Sequence, residues 1–167
     1  MWYVIQVNTG HESEIVEQCK SRVVTEGEEV FVMLGERKKR IKGEWVLHQY
    51  HLFPGYIFID TDRIEDFFIR LKDIPSMTKV LRVGEEWIPI YREEESYLKM
   101  LGGDEHIAKF SEGYLEGEKL IITEGALEGY EGKVKRLLRH QRLVIIEVQL
   151  MGQTVEVKLG LEVVKRI

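Results

Sequence analysis

The chain has 167 residues, of which 44% are hydrophobic and 32% charged, so it is long enough for one ordinary domain or two small ones and too apolar to be disordered. Lysine and arginine total 24 and aspartate and glutamate 29, which leaves a net charge of −5 and excludes a protein that coats nucleic acid with bulk positive charge. Any nucleic-acid site must therefore be local.

Cysteine content and hydropathy restrict the class further. Cys19 is the only cysteine, which excludes an internal disulfide and any zinc site that needs two thiolates from this chain. No basic segment precedes the apolar N-terminal residues, and no apolar run reaches the about 20 residues that a membrane helix needs. We therefore predict a cytoplasmic protein without a membrane partner, a metal or a cofactor.

The N-terminal part of the sequence predicts three helices among short strands. A strand at residues 2–7 leads, through a capping pattern of Thr9 and Glu12, into a helix at about 10–26 whose apolar stripe includes Cys19. The other predicted elements are strands at 30–34, 45–53 and 56–60, a helix from Asp62 to Leu71, a strand pair at 78–83 and 87–90, and a helix at 92–101. Gly35 is predicted to end a strand, with a basic turn after it. This order is typical of a ferredoxin-like split βαβ sandwich over residues 1–103.

The C-terminal part of the sequence predicts strands only. Residues 104–113 lack an apolar period and are predicted to be a short linker. Residues 114–167 follow, with strands predicted at 119–123, 132–138, 143–150 and 154–159. So short a segment made of short strands favours a small closed all-β barrel over an open sheet with exposed edges.

Two sequence signatures resemble the NusG-type transcription elongation factors, and together they cover nearly the whole chain. Trp2–Gln6, Gly10–Glu12 and Phe53–Phe58 are similar to the N-terminal (NGN) domain of that family, and Gly125–Val134 is similar to its KOW motif. The resemblance implies an NGN-type α+β domain joined by a short linker to an SH3-like KOW barrel. It also implies that the first domain binds the clamp helices of RNA polymerase and that the second recruits RNA, ribosomal protein or other elongation factors.

The KOW-like segment departs from the housekeeping members of the family. Those members usually have Pro and Phe after the first Gly, where this chain has Ala126 and Leu127. Residues 121–126 look closer to the specialised antitermination paralogs of the RfaH and LoaP types. The resemblance therefore implies a monomeric factor that promotes processive, terminator-resistant elongation and performs no chemistry itself.

Aromatic residues around Pro54–Gly55 are the candidates for polymerase binding, with core packing as the alternative for each. Alternation along the strand places Ile57 and Ile59 toward the helices, and Tyr56 and Phe58 toward an uncovered face, unless Phe58 belongs to the core. In the family, matching positions line an apolar pocket for a polymerase helix. The candidate set is Tyr3, Phe53, Pro54, Tyr56, Ile74 and Pro75.

Two basic clusters are candidates for nucleic-acid contact, with a solvated charged surface as the alternative for each. The first lies in a predicted turn, and in the family this region faces upstream DNA and the polymerase lobe opposite the clamp. With two neighbours from the next strand, it consists of Arg37, Lys38, Lys39, Arg40, Lys42, His48 and Gln49. The second contains no acidic residue and suits the phosphates of an RNA hairpin. It consists of Lys133, Lys135, Arg136, Arg139, His140 and Arg142.

The sequence offers no motif for catalysis. His48 and His51 are three residues apart in a predicted strand and so lie on opposite faces, and neither a nucleophile elbow nor a glycine-rich phosphate loop occurs.

Two rival functions remain. One is a ribosome-linked protein whose KOW barrel binds ribosomal RNA or protein, against which the Phe53–Phe58 signature counts. The other is a small enzyme, which would need a pocket of convergent titratable groups.

Overall fold

The computed structural model describes residues 1–74, 79–80 and 89–165. They fall into two compact units, the first made of Met1–Met33 and Phe53–Glu95 and the second of Leu34–Leu52 and Ser96–Ile167. The predicted domain boundaries at residues 103 and 114 stay predictions. No helix within the described residues is long and apolar enough to cross a membrane.

The elements of the described residues are as follows. The helices are α1 (Glu12–Arg22), α2 (Ile64–Leu71) and α3 (Arg92–Gly102). The strands are β1 (Trp2–Gln6), β2 (Glu29–Phe31), β3 (Leu34–Ile41), β4 (Glu44–His51), β5 (Tyr56–Asp60), β6 (Lys79–Val80), β7 (Ile107–Ala108), β8 (Ser111–Glu116), β9 (Lys119–Glu124), β10 (Val134–Leu138), β11 (Leu143–Leu150) and β12 (Gln153–Val163). Short 3-10 turns cover Glu131–Lys133 and Arg139–Gln141.

The first unit is built on a sheet with the strand order β2-β5-β1-β6. Strands β1 and β5 pair antiparallel, with Ile5 opposite Ile57. These two residues and Ile59 are fully buried and share one apolar cluster with Ile15 of α1 and Phe67 of α2. The prediction that Ile57 and Ile59 face the helices is therefore confirmed.

The opposite face of this sheet carries a cluster of aromatic rings. Phe58 stacks on Phe31 with the ring centroids 5.6 Å apart and meets Trp2 and Phe53 edge to face, at 6.0 and 5.8 Å. Phe58 is fully buried, so the expectation of an uncovered surface at this residue is wrong and its core alternative is correct. The reason is physical: aromatic rings projecting from three adjacent segments bury one another in edge and offset contacts.

Helix α1 is shorter than predicted, running from Glu12 to Arg22 rather than over 10–26. Gly10 and Gly27 both have positive φ, 98° and 81°, so neither continues the helix. His11 occupies the N-cap position of the helix, but no side chain makes a capping hydrogen bond there. The predicted capping box is therefore absent, and the Glu12 carboxylate has other partners.

Gly35 lies inside β3, opposite Tyr50, and does not end a strand as predicted. A Cβ atom at this position would come within 2.8 Å of the Tyr50 ring. The glycine therefore serves a close side-chain approach within a strand rather than a turn.

The second unit contains two sheets, with the strand orders β4-β3-β7 and β10-β11-β12-β8-β9. The long strand β12 pairs antiparallel with β11 and then, over its last three residues, parallel with β8. One strand thus serves both halves of a curled five-stranded sheet. The residues predicted to form a linker contain β7 and the start of β8. The predicted strand pair at 78–90 lies largely outside the described residues.

Glu28 connects the loop after α1 to α2 through a buried carboxylate. Arg70 donates to its two oxygens from Nη1 at 2.9 Å and Nη2 at 3.0 Å, and the hydroxyls of Thr25 and Thr61 each donate at 2.7 Å. Burial raises the pKa of this carboxyl, but the hydrogen bonds outweigh burial and lower the pKa to about 2. The charged form of Glu28 therefore stabilises the folded state.

Because the pKa of Glu28 is lower in the folded state than in the unfolded chain, its contribution is complete above about pH 5 and is lost as the pH falls toward 2. We expect the free energy of unfolding to fall by about 2–3 kcal/mol over that range through this group alone. Urea unfolding at several pH values should show this dependence reduced in Glu28→Gln. The matched control is Glu17→Gln on the exposed face of α1. Equal pH dependence in wild type and Glu28→Gln would contradict the assignment.

Candidate functional site

The Pro54–Gly55 turn lies at the centre of the first sequence signature. The Tyr56 N–H donates to the Phe53 carbonyl at 3.1 Å, and Gly55 has a φ of 83°. Proline at the second position and a positive-φ glycine at the third are the residues that a type II turn requires. A side chain at Gly55 would also crowd the Thr9 hydroxyl, at 3.1 Å. The turn therefore presents Pro54 and Tyr56 in one defined geometry.

Glu12 holds this turn against the start of α1. Its side chain is buried, and its carboxylate accepts hydrogen bonds from the Gly55 N–H at 3.0 Å and from the Gly10 N–H at 2.5 Å. One buried carboxylate thus joins two backbone segments that are 43 residues apart in sequence. The two halves of the signature, Gly10–Glu12 and Phe53–Phe58, are therefore joined to each other through the Glu12 carboxylate.

The structure separates the predicted polymerase-binding residues into two groups. Tyr3 and Ile74 are buried at 7% and 2% exposure in the cluster under the helices, on the face of the sheet away from Phe58. Phe53 is buried at 4% beneath the turn, Tyr56 is half-buried and Pro54 is exposed. Pro75 lies outside the described residues. The structure therefore brings Phe53, Pro54 and Tyr56 together and leaves Tyr3 and Ile74 apart from them.

The first basic cluster is a strand rather than the predicted turn. Residues 37–40 belong to β3, where Arg37 lies opposite His48 of β4. The turn itself is only Lys42–Gly43, with φ of 51° and 83°, the two positive values that a tight hairpin turn needs. Because strand side chains alternate, the cations project from both faces of the hairpin. His48 and Gln49 are exposed on β4.

Half of the second basic cluster is engaged by protein groups. Lys135 forms an ion pair with Glu147, and the Lys133 ammonium lies 5.3 Å from the Tyr97 ring centroid. The hydrogen bond and charge of Glu147 raise the pKa of Lys135. Within the residues that the structure describes, the remaining members except Arg142 are exposed and make no ion pair; they are Arg136, Arg139 and His140.

Glu162 of β12 brings the two basic clusters together. Its carboxylate accepts a hydrogen bond from Lys38 at 2.8 Å and forms an ion pair with Arg142 at 3.2 Å. The guanidinium of Arg142 also lies 4.2 Å from the Trp45 ring centroid. In the sequence, the position of Trp45 close to the basic residues 37–42 was the one indication of this contact. Nothing in the sequence around Glu162 indicated that it would take part.

Close backbone packing also holds the β3–β4 hairpin on β12. Gly160 has no room for a side chain, because a Cβ would meet the Glu36 carbonyl and the Arg37 Cα. The Tyr50 hydroxyl donates to the Lys158 carbonyl, and burial raises the pKa of that phenol to about 12. The hairpin and the five-stranded sheet therefore form one unit.

The KOW-like segment forms a tight structure next to β8. Gly125 has a φ of 96° and packs against Ser111, where no side chain would fit. Leu127 is fully buried, and its N–H donates to the Ser111 hydroxyl at 3.2 Å. The apolar residue at this position is therefore a core residue of the second unit.

Cys19 and the possible metal ligands bear on whether the chain has a catalytic or metal site. Burial raises the pKa of the Cys19 thiol to about 11, which disfavours the thiolate that a nucleophile would need. Across residues 1–74, 79–80 and 89–165, no three His, Cys, Asp or Glu side chains are placed to hold a metal ion.

Comparisons with known proteins all indicate one family. A family model described as transcription termination factor nusG matches residues 1–99. The chain is 24% identical to the transcription termination/antitermination protein NusG of Rickettsia prowazekii, with 99% of this chain and 89% of that protein covered. It is 25% identical to the NusG protein of Borreliella burgdorferi, with coverage of 99% and 98%. A solved structure described as "Domain interaction in Thermotoga maritima NusG" matches with a TM-score of 0.54 and 19% identity over 95% of this chain and 92% of that one.

Proposed function

Since the chain belongs to the NusG family of transcription factors, we propose that it binds bacterial RNA polymerase and promotes processive, antiterminated elongation. The observation that carries this proposal is the family match over residues 1–99, the segment that contains the Pro54–Gly55 turn. Within the same proposal, the first unit corresponds to an NGN-type ferredoxin-like domain, and the curled five-stranded sheet of the second unit is a KOW barrel. The factor acts by binding and performs no catalysis.

The polymerase surface that we propose is centred on Tyr56 and Pro54. Tyr56 is half-buried and Pro54 exposed, so both are accessible, while the buried Phe53 supports them from beneath. The hydrogen bond that the Gly55 N–H of the turn donates to Glu12 pre-organises this surface, which lowers the entropic cost of binding. An apolar helix, such as the clamp helices bound by the family, suits such a surface.

The proposed mechanism is a shift in the polymerase population. A factor that binds the closed clamp more tightly than the open clamp raises the closed fraction by its differential affinity. Pausing and hairpin-driven release then become less frequent. No covalent step is required of the factor.

The second unit is proposed to recruit RNA through exposed cations. Arg136, Arg139 and His140 are exposed members of its basic cluster that make no ion pair within the described residues, whereas Lys135 and Arg142 are paired with carboxylates. Recruitment by its own transcript is one route by which a specialised antitermination factor of this subtype reaches the polymerase. Ala126 and Leu127 in the KOW-like segment support that subtype.

We expect Tyr56→Ala to weaken binding of the full chain to purified bacterial core polymerase by about 1–3 kcal/mol, the usual loss for a central aromatic contact. Affinity capture of core polymerase followed by titration measures the change. Ile69→Ala, which removes an apolar side chain that is 65% exposed on α2, is the matched control and should bind as wild type.

Phe53→Ala should weaken binding and also lower the free energy of unfolding, because Phe53 is buried against Phe58. Tyr56→Ala binding with the parent affinity would overturn the placement of the surface. If the wild-type chain did not bind core polymerase and bound ribosomes instead, the ribosome-linked alternative would be correct.

A further inference from the structure

An open cleft of about 280 Å³ lies between the β3–β4 hairpin and the 3-10 turn Arg139–Gln141 of the second unit. Its volume is near the lower limit of about 300 Å³ for small-ligand pockets, which suits one small group better than a whole cofactor. The residues that line it are Arg37, Lys38, Lys39, Arg40, Trp45, His140 and Gln141. The lining thus contains four cations, an indole and no acidic side chain.

Most of this positive charge is not neutralised by the protein. Lys38 is paired with Glu162. Among the described residues, no carboxylate lies within ion-pair distance of Arg37, Lys39 or Arg40, and the buried Arg37 Nε has no hydrogen-bond acceptor. Arg40 shares a strand face with Trp45, whereas Arg37 and Lys39 project from the other face of the hairpin. In a chain whose net charge is −5, this local positive charge produces a field that attracts an anion.

The cleft also contains an aromatic wall. Trp45 lies opposite Arg40 in the hairpin register, and the guanidinium of Arg142 lies over its ring. Arg142 is in turn paired with Glu162, so the Trp45 indole of the hairpin is held next to the residue that follows the Arg139–Gln141 turn. Cations beside a positioned aromatic ring are the groups that recognise a phosphate next to an unpaired base. A free acidic peptide would use the cations but not the ring.

We propose that this cleft binds a backbone phosphate of a single-stranded nucleic-acid segment, with the adjacent unpaired base against Trp45. Residues 37–40 of the first basic cluster and His140 of the second then contribute to one composite site. The inference rests on the proposed function only in taking nucleic acid as a partner. RNA and DNA share the chemistry that the cleft recognises, and the experiment distinguishes them.

The test is fluorescence anisotropy of the full chain with labelled oligouridine and oligothymidine of about six nucleotides, within the usual site size of small single-strand-binding folds, over a series of salt concentrations. One oligonucleotide should bind per chain. Arg40→Ala, on the hairpin side, should weaken binding and reduce the slope of log affinity against log salt by about 0.7. His140→Ala, on the turn side, should weaken binding of the same probe.

The aromatic wall is tested separately. Trp45→Ala should lose about tenfold in affinity, and Trp45→Phe should restore most of it, because any aromatic face supports stacking. Circular dichroism establishes that each variant is folded. Lys72→Ala, an exposed cation after α2 in the other unit, is the matched control for loss of one positive charge and should bind as wild type.

Binding of either oligonucleotide with these losses supports the proposal, and the ratio of the two affinities identifies the strand. Loss in Arg136→Ala with Arg40→Ala unchanged overturns the composite cleft and assigns RNA binding to β10 alone. Binding of labelled polyglutamate without binding of either oligonucleotide also overturns it. A chain that captures core polymerase but binds neither oligonucleotide refutes the cleft and leaves polymerase binding intact, whereas failure in both assays refutes the proposed function as well.

Discussion

Phe58→Ala is expected to lower the free energy of unfolding by about 3–5 kcal/mol, the usual cost of removing a buried phenyl ring. Phe58 is fully buried and its ring contacts those of Trp2, Phe31 and Phe53. The substitution leaves a cavity in the middle of the aromatic cluster, and neighbouring rings on adjacent strands cannot close it without distorting the sheet. Urea unfolding followed by tryptophan fluorescence measures the loss.

Phe58→Leu is the matched control, because it keeps most of the volume and should lose about half as much stability or less. Ile69→Ala on the exposed surface of α2 should leave stability nearly unchanged. A loss below about 1 kcal/mol in Phe58→Ala would show that this ring lies at a surface, as the uncovered-face prediction required.

Glu12→Ala is expected to lower the free energy of unfolding by about 3–5 kcal/mol. It should also weaken polymerase binding by more than the smaller fraction of folded protein explains. The substitution removes a buried carboxylate that accepts from the Gly10 and Gly55 N–H groups, and each hydrogen bond to a charged acceptor contributes about 1.5–3 kcal/mol. Without this acceptor the Pro54–Gly55 turn is no longer held to α1. Urea unfolding and polymerase titration measure the two effects.

Glu12→Gln separates the two contributions. An amide oxygen still accepts one hydrogen bond, so this variant should recover part of the stability and most of the binding affinity. Glu14→Gln, on the exposed face of the same helix, should change neither quantity. If Glu12→Ala folded stably and bound polymerase normally, the carboxylate would have no role in presenting the turn.

Local sequence patterns predicted much of the first unit. Strand β5 was predicted with the bounds that the structure shows, because alternating apolar residues follow a Pro-Gly turn and identify one strand face without knowledge of the rest. The KOW-like segment was also identified from its resemblance to the family motif, and two of its glycines, Gly125 and Gly129, have the positive φ that other residues avoid. The single role of Glu12 for both halves of the signature was not visible, because a hydrogen bond across 43 residues leaves no periodicity.

The basic hairpin shows where sequence reasoning fails. Four consecutive cations at 37–40 suggested a solvated turn, yet they form part of β3 and pair with β4. Strand propensity depends on cross-strand partners more than on the residues themselves, and here those partners include Trp45 opposite Arg40. Both basic clusters lie in the second compact unit.

Family membership and the strand faces of Ile57 and Ile59 are properties of short segments, and the amino-acid order alone was enough to predict them. The burial of Phe58, the carboxylate bridge from Glu12 and the joining of Lys38 to Arg142 through Glu162 depend on residues distant in sequence. Such contacts form only when packing brings separate segments within hydrogen-bonding or van der Waals distance. Their partners are set by the fold as a whole, which is why the tertiary structure was needed to find the hydrogen bond from the Pro54–Gly55 turn to Glu12 and the cleft at Trp45.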